Sequence, residues 1–95
     1  MKRELHHSGS EVFYETVARL KNADECRLFF EDICSTHELR TIEQRFQLFY
    51  LLASGSSYSE IAEQTGASSA TISRGSRQLK DANSDLLEII RRTEM

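Results

Sequence analysis

The 95-residue sequence lacks proline and tryptophan and contains only four glycines and two cysteines. The absence of proline and the scarcity of glycine disfavour a turn-rich β fold and favour helices. Two cysteines, Cys26 and Cys34, are too few for a disulfide framework, so we expect reduced, buried thiols in a cytoplasmic protein. No apolar run approaches the ~20 residues that a membrane span requires, and the opening segment has no apolar stretch of the secretory type.

The length of the chain favours one domain over residues 1–95, with residues 1–9 loosely ordered. Such a small domain buries little apolar surface for its size, and oligomerisation often compensates for this. Its proportion of charged residues is ordinary, and acidic residues outnumber basic ones, which gives a formal net charge of -3. These properties predict a small helical protein that associates with a second copy.

No combination of histidine and cysteine in this sequence is typical of a metal site. His6 and His7 form only a two-residue pair near the N-terminus. Cys26, Cys34 and His37 offer three candidate ligands, and their spacing fits no usual zinc pattern. We therefore expect no bound metal.

Three helices are predicted in the first half of the chain. In the sequence "STHE", Ser35 is followed three residues later by Glu38, which is the pattern of a capping box at a helix start. Ser10 can cap the first helix, and Gly55 ends the third. The predicted ranges are 11–21, 24–34 and 36–53.

The third predicted helix carries more apolar surface than one short chain can cover. Its apolar side chains are spaced three and four residues apart, which gives a heptad-like stripe. We expect this stripe to form part of the core and of a dimer interface. Its members are Leu39, Ile42, Phe46, Phe49 and Ala53.

A helix-turn-helix is predicted at about residues 57–80. Ser57 and Glu60 form a second capping box, Gly66 breaks the helix that they begin, and Ser68 can cap the next one. A small core is expected between the two helices. Its predicted members are Ile61, Ala62, Ile72 and Leu79.

The second of these helices has an unusual outer face. If Ile72 points inward, the outward positions carry a methyl group, hydroxyls and guanidinium groups, where a solvated surface helix normally mixes acids with bases. Such groups contact thymine methyls, phosphates and guanine edges in a major groove, and the free N–H groups at the helix start can bind a phosphate. We expect contacts with double-stranded DNA from Ser68, Ser69, Ala70, Thr71, Ser73, Arg74, Arg77 and Lys80.

The charge of this segment differs from that of the rest of the chain. Residues 66–80 contain two Arg, one Lys and no acid, so they carry +3 while the remainder carries -6. A basic DNA-binding segment on an otherwise acidic domain limits indiscriminate binding and orients the approach to DNA.

The segment "GASSATISRGSRQLK" resembles the recognition segment of the tryptophan repressor family, whose pattern is close to Gly-Ala-x-x-Ala-Thr-Ile-Thr-Arg-Gly-Ser-x-x-Leu-Lys. The upstream segment "EDICSTHELRTIEQRFQLFYLLASGSSYSEIAEQTG" is more similar to the shorter repressor-like proteins of the YerC/YecD type. The resemblance extends over about residues 24–82. It implies an all-α, six-helix fold, an intertwined homodimer, and repression of transcription through operator DNA.

The resemblance also implies a corepressor site for L-tryptophan or a similar molecule. In the family two arginines sandwich the indole ring, and Arg74 matches one of them by motif. Arg45 matches the other when Gly55 is aligned with the family glycine. Ser35 stands where the family has a ligand-facing threonine, and Gly75 also matches.

Two departures from the family pattern leave the effector open. Gln78 replaces a small serine that faces the amino group of the ligand, and Thr36 replaces a proline. Gln78 is large enough to fill the cleft itself. A tryptophan-like corepressor, a different effector and no effector all remain as alternatives.

Two other classes of function compete with DNA binding. An enzyme needs a convergent set of polar groups, and the sequence has no catalytic set of Ser, His and Asp, no phosphate-binding loop and no metal cluster. We therefore predict that the protein is not an enzyme. A helical dimeric protein-interaction module that has lost operator binding is the alternative, because basic charge is low outside residues 66–80.

Overall fold

The computed structural model describes residues 8–94, and within this range the chain forms six α-helices and a final 3₁₀ turn. No residue in that range lies in a β-strand, so the predicted six-helix, all-α architecture is confirmed. The pair His6-His7 lies outside the described residues. The elements are α1 (Gly9–Ala18), α2 (Ala23–Ile33), α3 (Thr36–Ala53), α4 (Tyr58–Thr65), α5 (Ser69–Lys80), α6 (Leu86–Arg91) and the 3₁₀ turn Arg92–Glu94.

Helix α1 begins earlier than the sequence analysis predicted. The Ser8 hydroxyl accepts a hydrogen bond from the Glu11 N–H at 3.0 Å, and the Glu11 carboxylate accepts one from the Ser8 N–H at 3.2 Å. This capping box makes Ser8 the N-cap, so the assignment of Ser10 as the cap is wrong. Because Ser8 caps this helix and Gly9 begins it, the expectation that residues 1–9 are loosely ordered is wrong for Ser8 and Gly9.

The chain divides into two compact units, of which the first ends at Leu39. Three phenylalanine rings pack together within it: the centroid of Phe13 lies 6.1 Å from that of Phe29 and 6.4 Å from that of Phe30. The rings of Phe29 and Phe30 meet edge to face at 5.1 Å. No residue of α1 or α2 is buried in the single chain.

Both cysteines belong to this N-terminal unit and are unbonded. Each is half-buried, so the predicted burial of the thiols is wrong for the single chain. Cys34 ends α2 with an extended backbone, and its N–H donates a hydrogen bond to the Phe30 carbonyl at 3.0 Å.

The second unit begins at Arg40 and contains most of α3. Gly55 ends this helix as predicted, with a φ of 86° that favours glycine. The Gly55 N–H donates to the Leu52 carbonyl and the Ser56 N–H donates to the Leu51 carbonyl, both at 3.1 Å. These two hydrogen bonds form a Schellman motif, which turns the chain toward α4.

Three of the four residues predicted for the core of the helix-turn-helix are buried in the second unit. Ile61 is 0% exposed and Ile72 is 1% exposed, and both pack with Leu48 of α3. Leu79 and Ile90 are also buried. Half-buried apolar residues surround the cluster: Leu51, Leu52, Ala62 and Ala67.

Candidate nucleic-acid interface and adjacent cleft

Helices α4 and α5 form the predicted helix-turn-helix. The Ser57 hydroxyl accepts a hydrogen bond from the Glu60 N–H at 3.1 Å, and the Glu60 carboxylate accepts one from the Ser57 N–H at 2.8 Å. Gly66 follows α4 with a φ of 75°, and its N–H donates to the Ala62 carbonyl at 2.9 Å. The predicted capping box and the predicted helix break at Gly66 are therefore confirmed.

Thr65 fixes the turn between the two helices. Its hydroxyl donates a hydrogen bond to the Ile61 carbonyl at 2.7 Å and accepts one from the Ala67 N–H at 3.1 Å. The hydroxyl therefore links the last turn of α4 to the chain that enters α5. This contact was not predicted, although a threonine next to a turn glycine is typical of such local bonding.

The inner face of α5 packs tightly against α3. Ile72, Gly75 and Leu79 are buried, as the inward direction of Ile72 predicted. A methyl group built on Gly75 would lie 3.2 Å from Cδ2 of Leu48 and 3.3 Å from Cδ1 of Leu52. The close approach of the two helices therefore requires a small residue at position 75, independently of any ligand.

The first turn of α5 contains a chain of polar contacts. The Ser68 hydroxyl accepts a hydrogen bond from the Thr71 N–H at 3.2 Å, which confirms Ser68 as the N-cap. The same hydroxyl donates to Oγ1 of Thr71 at 3.0 Å, and Nη2 of Arg74 donates to that oxygen at 3.3 Å. The side chain of Arg74 is thus connected to the start of the helix.

Most of the residues predicted to contact DNA are exposed at the start and on the outer face of α5. Thr71 and Ser73 are half-buried, whereas the other members of the set are exposed. Within residues 8–94, no ion pair within 4.0 Å involves a basic residue of α5. The exposed members are Ser68, Ser69, Ala70, Arg74, Arg77 and Lys80.

A cleft of about 540 Å³ lies beside α5, within the second unit. It brings together three of the four residues implied as an effector site, Arg45, Arg74 and Gly75, and also includes Gln78. Arg45 comes from α3 and the other three come from α5. The remaining lining residues are Gln44, Leu48, Phe49, Thr65, Ala67 and Thr71.

Five of these lining residues were not predicted for the cleft or for DNA contact: Gln44, Leu48, Phe49, Thr65 and Ala67. A helical signal was available for two of them, because Leu48 and Phe49 follow Arg45 by three and four residues and so share its side of the helix. Phe49 belongs to the stripe predicted for the core and a dimer interface, and in the single chain it is half-buried and lines the cleft.

The fourth implied effector residue, Ser35, belongs to the N-terminal unit. Its hydroxyl accepts a hydrogen bond from the Glu38 N–H at 3.1 Å, and its N–H donates to the Glu38 carboxylate at 2.8 Å. The predicted capping box of α3 is therefore confirmed. The hydrogen bond from the Ser35 backbone, followed by the bond from its side chain and by the nearby His37, lowers the pKa of Glu38.

Residues 8–94 lack two features that are typical of other protein classes. These residues contain no group of three or more His, Cys, Asp or Glu side chains arranged to hold a metal ion. None of the helices there is both long enough and apolar enough to span a membrane.

Comparison with known sequences agrees with this architecture. The sequence model of the family described as "Trp repressor protein" matches residues 8–94. YerC, an uncharacterized protein of Bacillus subtilis (strain 168), is 37% identical over 94 residues, which cover 96% of this chain and 90% of YerC.

Two crystal structures resemble the chain over almost its full length. A TrpR-like protein from Eubacterium eligens ATCC 27750 is 37% identical, with a TM-score of 0.79 and coverage of 97% of this chain and 95% of that one. A candidate Trp repressor from Staphylococcus aureus is 32% identical, with a TM-score of 0.77 and coverage of 99% and 95%. The chain therefore belongs to the Trp repressor family, whose members are regulatory DNA-binding proteins and not enzymes.

Proposed function

We propose that this protein is a sequence-specific repressor of transcription that acts in the cytoplasm and reads operator DNA through α5. The observation that carries the proposal is the division of this helix into two faces. The inner face is buried against the core, while the outer face exposes hydroxyls, a methyl group and three basic side chains without ion-pair partners in the described chain. Because the core needs none of these outer groups, they are available to bind DNA.

The groups at the start of α5 suit contacts with the DNA backbone. The N–H groups of Ser69 and Ala70 lie in the first turn of α5 and have no hydrogen-bond acceptor among residues 8–94. Phosphate oxygens bind at such helix starts, and arginine and lysine side chains along the same face add attraction to the phosphates. Arg77 lies one turn beyond Ser73 and can contact either a phosphate or a base edge.

A homodimer is the second part of the proposal. The helix α3 exposes three large apolar residues in the single chain: Ile42 is 52% exposed, Phe46 46% and Tyr50 38%. The rings of Phe46 and Tyr50 stack at 6.2 Å and form one surface. A second copy would cover this surface, and two reading helices would then fit half-sites one DNA turn apart, ~34–36 Å.

A small amino-acid-like effector in the cleft is the third part of the proposal. The cleft contacts both α3 and α5, so a ligand there would favour one tilt of the reading helix over others. Such a ligand can shift the equilibrium only by the difference in its affinity for the two tilts. The side chain of Gln78 is the internal alternative, because it lines the same space and can hold the helix in place without a ligand.

Selection of bound sequences from random DNA duplexes, with and without added amino acids, tests this proposal. We expect a consensus with two half-sites, bound more weakly as the salt concentration rises. Calorimetry with L-tryptophan then tests the effector. Enrichment of no sequence, together with affinity that salt does not change, would favour the protein-interaction module.

The variant Arg77→Ala tests whether α5 is the reading helix. If Arg77 contacts a phosphate, the salt slope of binding should fall by ~1 per lost contact, and affinity should weaken for all sequences. If it contacts a base edge, discrimination at one position should fall by ~1–3 kcal/mol. The control is Arg27→Ala, which removes the same charge from an exposed ion pair with Asp24 in the N-terminal unit. Equal affinities of Arg77→Ala and wild type for the selected operator would exclude Arg77 from the reading face.

A further inference from the structure

We propose that Ser68 and Thr71 are positioning residues that hold the side chain of Arg74 at the start of α5, where it is oriented for DNA before DNA binds. This inference rests on the proposed function and deepens it, because it assigns the orientation of one proposed DNA-contacting arginine to two neighbouring hydroxyls. All the contacts that carry it are local to the start of α5 and lie within one chain.

The side chain of Arg74 reaches back along α5. Its Nη2 atom donates a hydrogen bond to Oγ1 of Thr71 at 3.3 Å. Long side chains in a helix lean toward the N-terminus of that helix, and residues three positions apart are neighbours on its surface. Thr71 is therefore placed to receive the guanidinium group. Arg77 on the same helix forms no hydrogen bond or ion pair through its side chain within residues 8–94.

The oxygen that receives Arg74 is itself held by the N-cap of the helix. The Ser68 hydroxyl accepts a hydrogen bond from the Thr71 N–H at 3.2 Å and donates one to Oγ1 of Thr71 at 3.0 Å. A hydroxyl offers two acceptor sites and one proton, so Ser68 and Arg74 together occupy both acceptor sites of Thr71. Hydrogen bonds in such a chain polarise and strengthen one another.

No acid competes with Thr71 for Arg74. Residues 66–80 contain neither aspartate nor glutamate. Asp81 lines the same shallow depression as Arg74, but its carboxylate accepts a hydrogen bond from the Asn83 N–H at 2.8 Å, and no ion pair within 4.0 Å involves Arg74 among residues 8–94. A neutral oxygen therefore holds the guanidinium group, which keeps its positive charge and its other N–H groups for the DNA.

This arrangement reduces the entropy that Arg74 loses on binding. An arginine side chain has many rotamers, and ordering it at an interface opposes association. The contact with Thr71 already restricts the side chain in the free protein, so less freedom remains to be lost. The hydroxyl of Thr71 should thus raise affinity for DNA through Arg74, once in each subunit of the proposed dimer.

The variant Thr71→Val tests the proposal, because it removes the hydroxyl and keeps a β-branched side chain of similar size. Affinity for the selected operator, measured by fluorescence anisotropy, should weaken by about tenfold for the two subunits together. Thr71→Ser retains the hydroxyl and should recover most of this loss. Thr16→Val is the matched control, because it removes an exposed hydroxyl that bonds the Val12 carbonyl in the N-terminal unit.

A double-mutant cycle with Arg74→Ala separates positioning from direct contact. If the hydroxyl acts through Arg74, Thr71→Val should cause no further loss of affinity in a chain that already carries Arg74→Ala. Losses that multiply would show that Thr71 acts on DNA independently of Arg74, and they would overturn the proposal. Circular dichroism checks that each variant folds.

Nitrogen-15 relaxation of the arginine side chains tests the same contact without DNA. The Nε–H group of Arg74 should be more restricted than that of Arg77 in the free protein, and Thr71→Val should make the two equally mobile. Equal mobility in the wild type would overturn the proposal whether or not the protein binds DNA. Lack of salt-dependent DNA binding by the wild type would instead reject the proposed function, so the two failures are distinguishable.

Discussion

The two units of the chain differ in how much of their apolar surface the single chain covers. In the second unit, Ile61 and Ile72 are almost completely buried. In the first unit the three phenylalanine rings contact one another, yet Tyr14 is 67% exposed, Leu28 63% and Ile33 54%. The helix-turn-helix therefore has a core of its own, whereas the N-terminal helices lack one.

This difference indicates where each unit obtains its stability. A buried cluster stabilises α5 within one chain, so the helix can keep its geometry in the proposed contact with DNA. The N-terminal unit exposes apolar patches that isolated soluble proteins usually cover. We expect it to gain its stability from the second copy in the proposed dimer.

The largest expected effect comes from removing the centre of the covered core. Ile72→Ala deletes buried methyl and methylene groups at a position that is 1% exposed. The free energy of unfolding should fall by about 2–5 kcal/mol in urea denaturation, and by only about 0.5–1.5 kcal/mol for the control Ile72→Val. A loss below about 1 kcal/mol for Ile72→Ala would contradict a core within one chain.

The second prediction concerns the uncovered surface of α3. Phe46→Glu would bring a charge into the proposed dimer interface and break the stacking with Tyr50. The dissociation constant measured by sedimentation should rise by at least about 100-fold, while Phe46→Leu should change it far less. If the wild-type chain sediments as a monomer at micromolar concentration, the dimer proposal is wrong.

The third prediction concerns the close contact between α3 and α5. Gly75→Ala gains about 1 kcal/mol of helix propensity, but it forces its methyl group against Leu48 and Leu52, at a cost of about 1–3 kcal/mol. We expect a net loss of about 1 kcal/mol. Leu52→Val removes the contacting Cδ1 atom and should relieve this loss, so thermal melts of the two single variants and the double variant form the check. Additive effects would argue against crowding.

The smallest expected effect lies in the capping box of α3. The lowered pKa of Glu38 means that the folded state favours its ionised form. Its contribution to stability is present above the unfolded-state pKa and is lost as the pH falls through the lower folded-state pKa. The difference in stability between wild type and Glu38→Gln should therefore shrink in acid. A difference that stays constant with pH would exclude this role.

The helix-turn-helix was predictable because its signals are local. The capping box of Ser57 and Glu60, the positive φ of Gly66 and the cap of Ser68 each depend on residues within four positions of one another. The start of α1 was missed because Ser8 and Ser10 both precede a helical segment, and only Ser8 has a glutamate three residues later. The serine-to-glutamate spacing therefore identifies the N-cap of α1, which the serine residue type alone does not.

The cleft was predictable only in part, and through resemblance more than through pattern. The family motif identified Arg74, the alignment of Gly55 with the family glycine identified Arg45, and both arginines line one cleft. The remaining walls come from separate segments, since Phe49 lies on α3 and Ala67 in the turn. These segments come together only through the packing of the helices, which leaves no local signal in the sequence. Ser35 illustrates the opposite case. The spacing between Ser35 and Glu38 predicts a helix cap, but it gives no information about ligand binding.

The division of α5 into a buried face and an exposed face affects how binding preferences can change during evolution. Ser69, Ala70 and Arg77 are exposed, and none belongs to the buried cluster that holds the helix in place. Surface substitutions of this kind usually alter stability by no more than about 0.5 kcal/mol. If α5 reads DNA as proposed, new target sequences are accessible to this protein through single substitutions that leave folding intact. A library randomised at these positions would sample altered specificities on an unchanged scaffold.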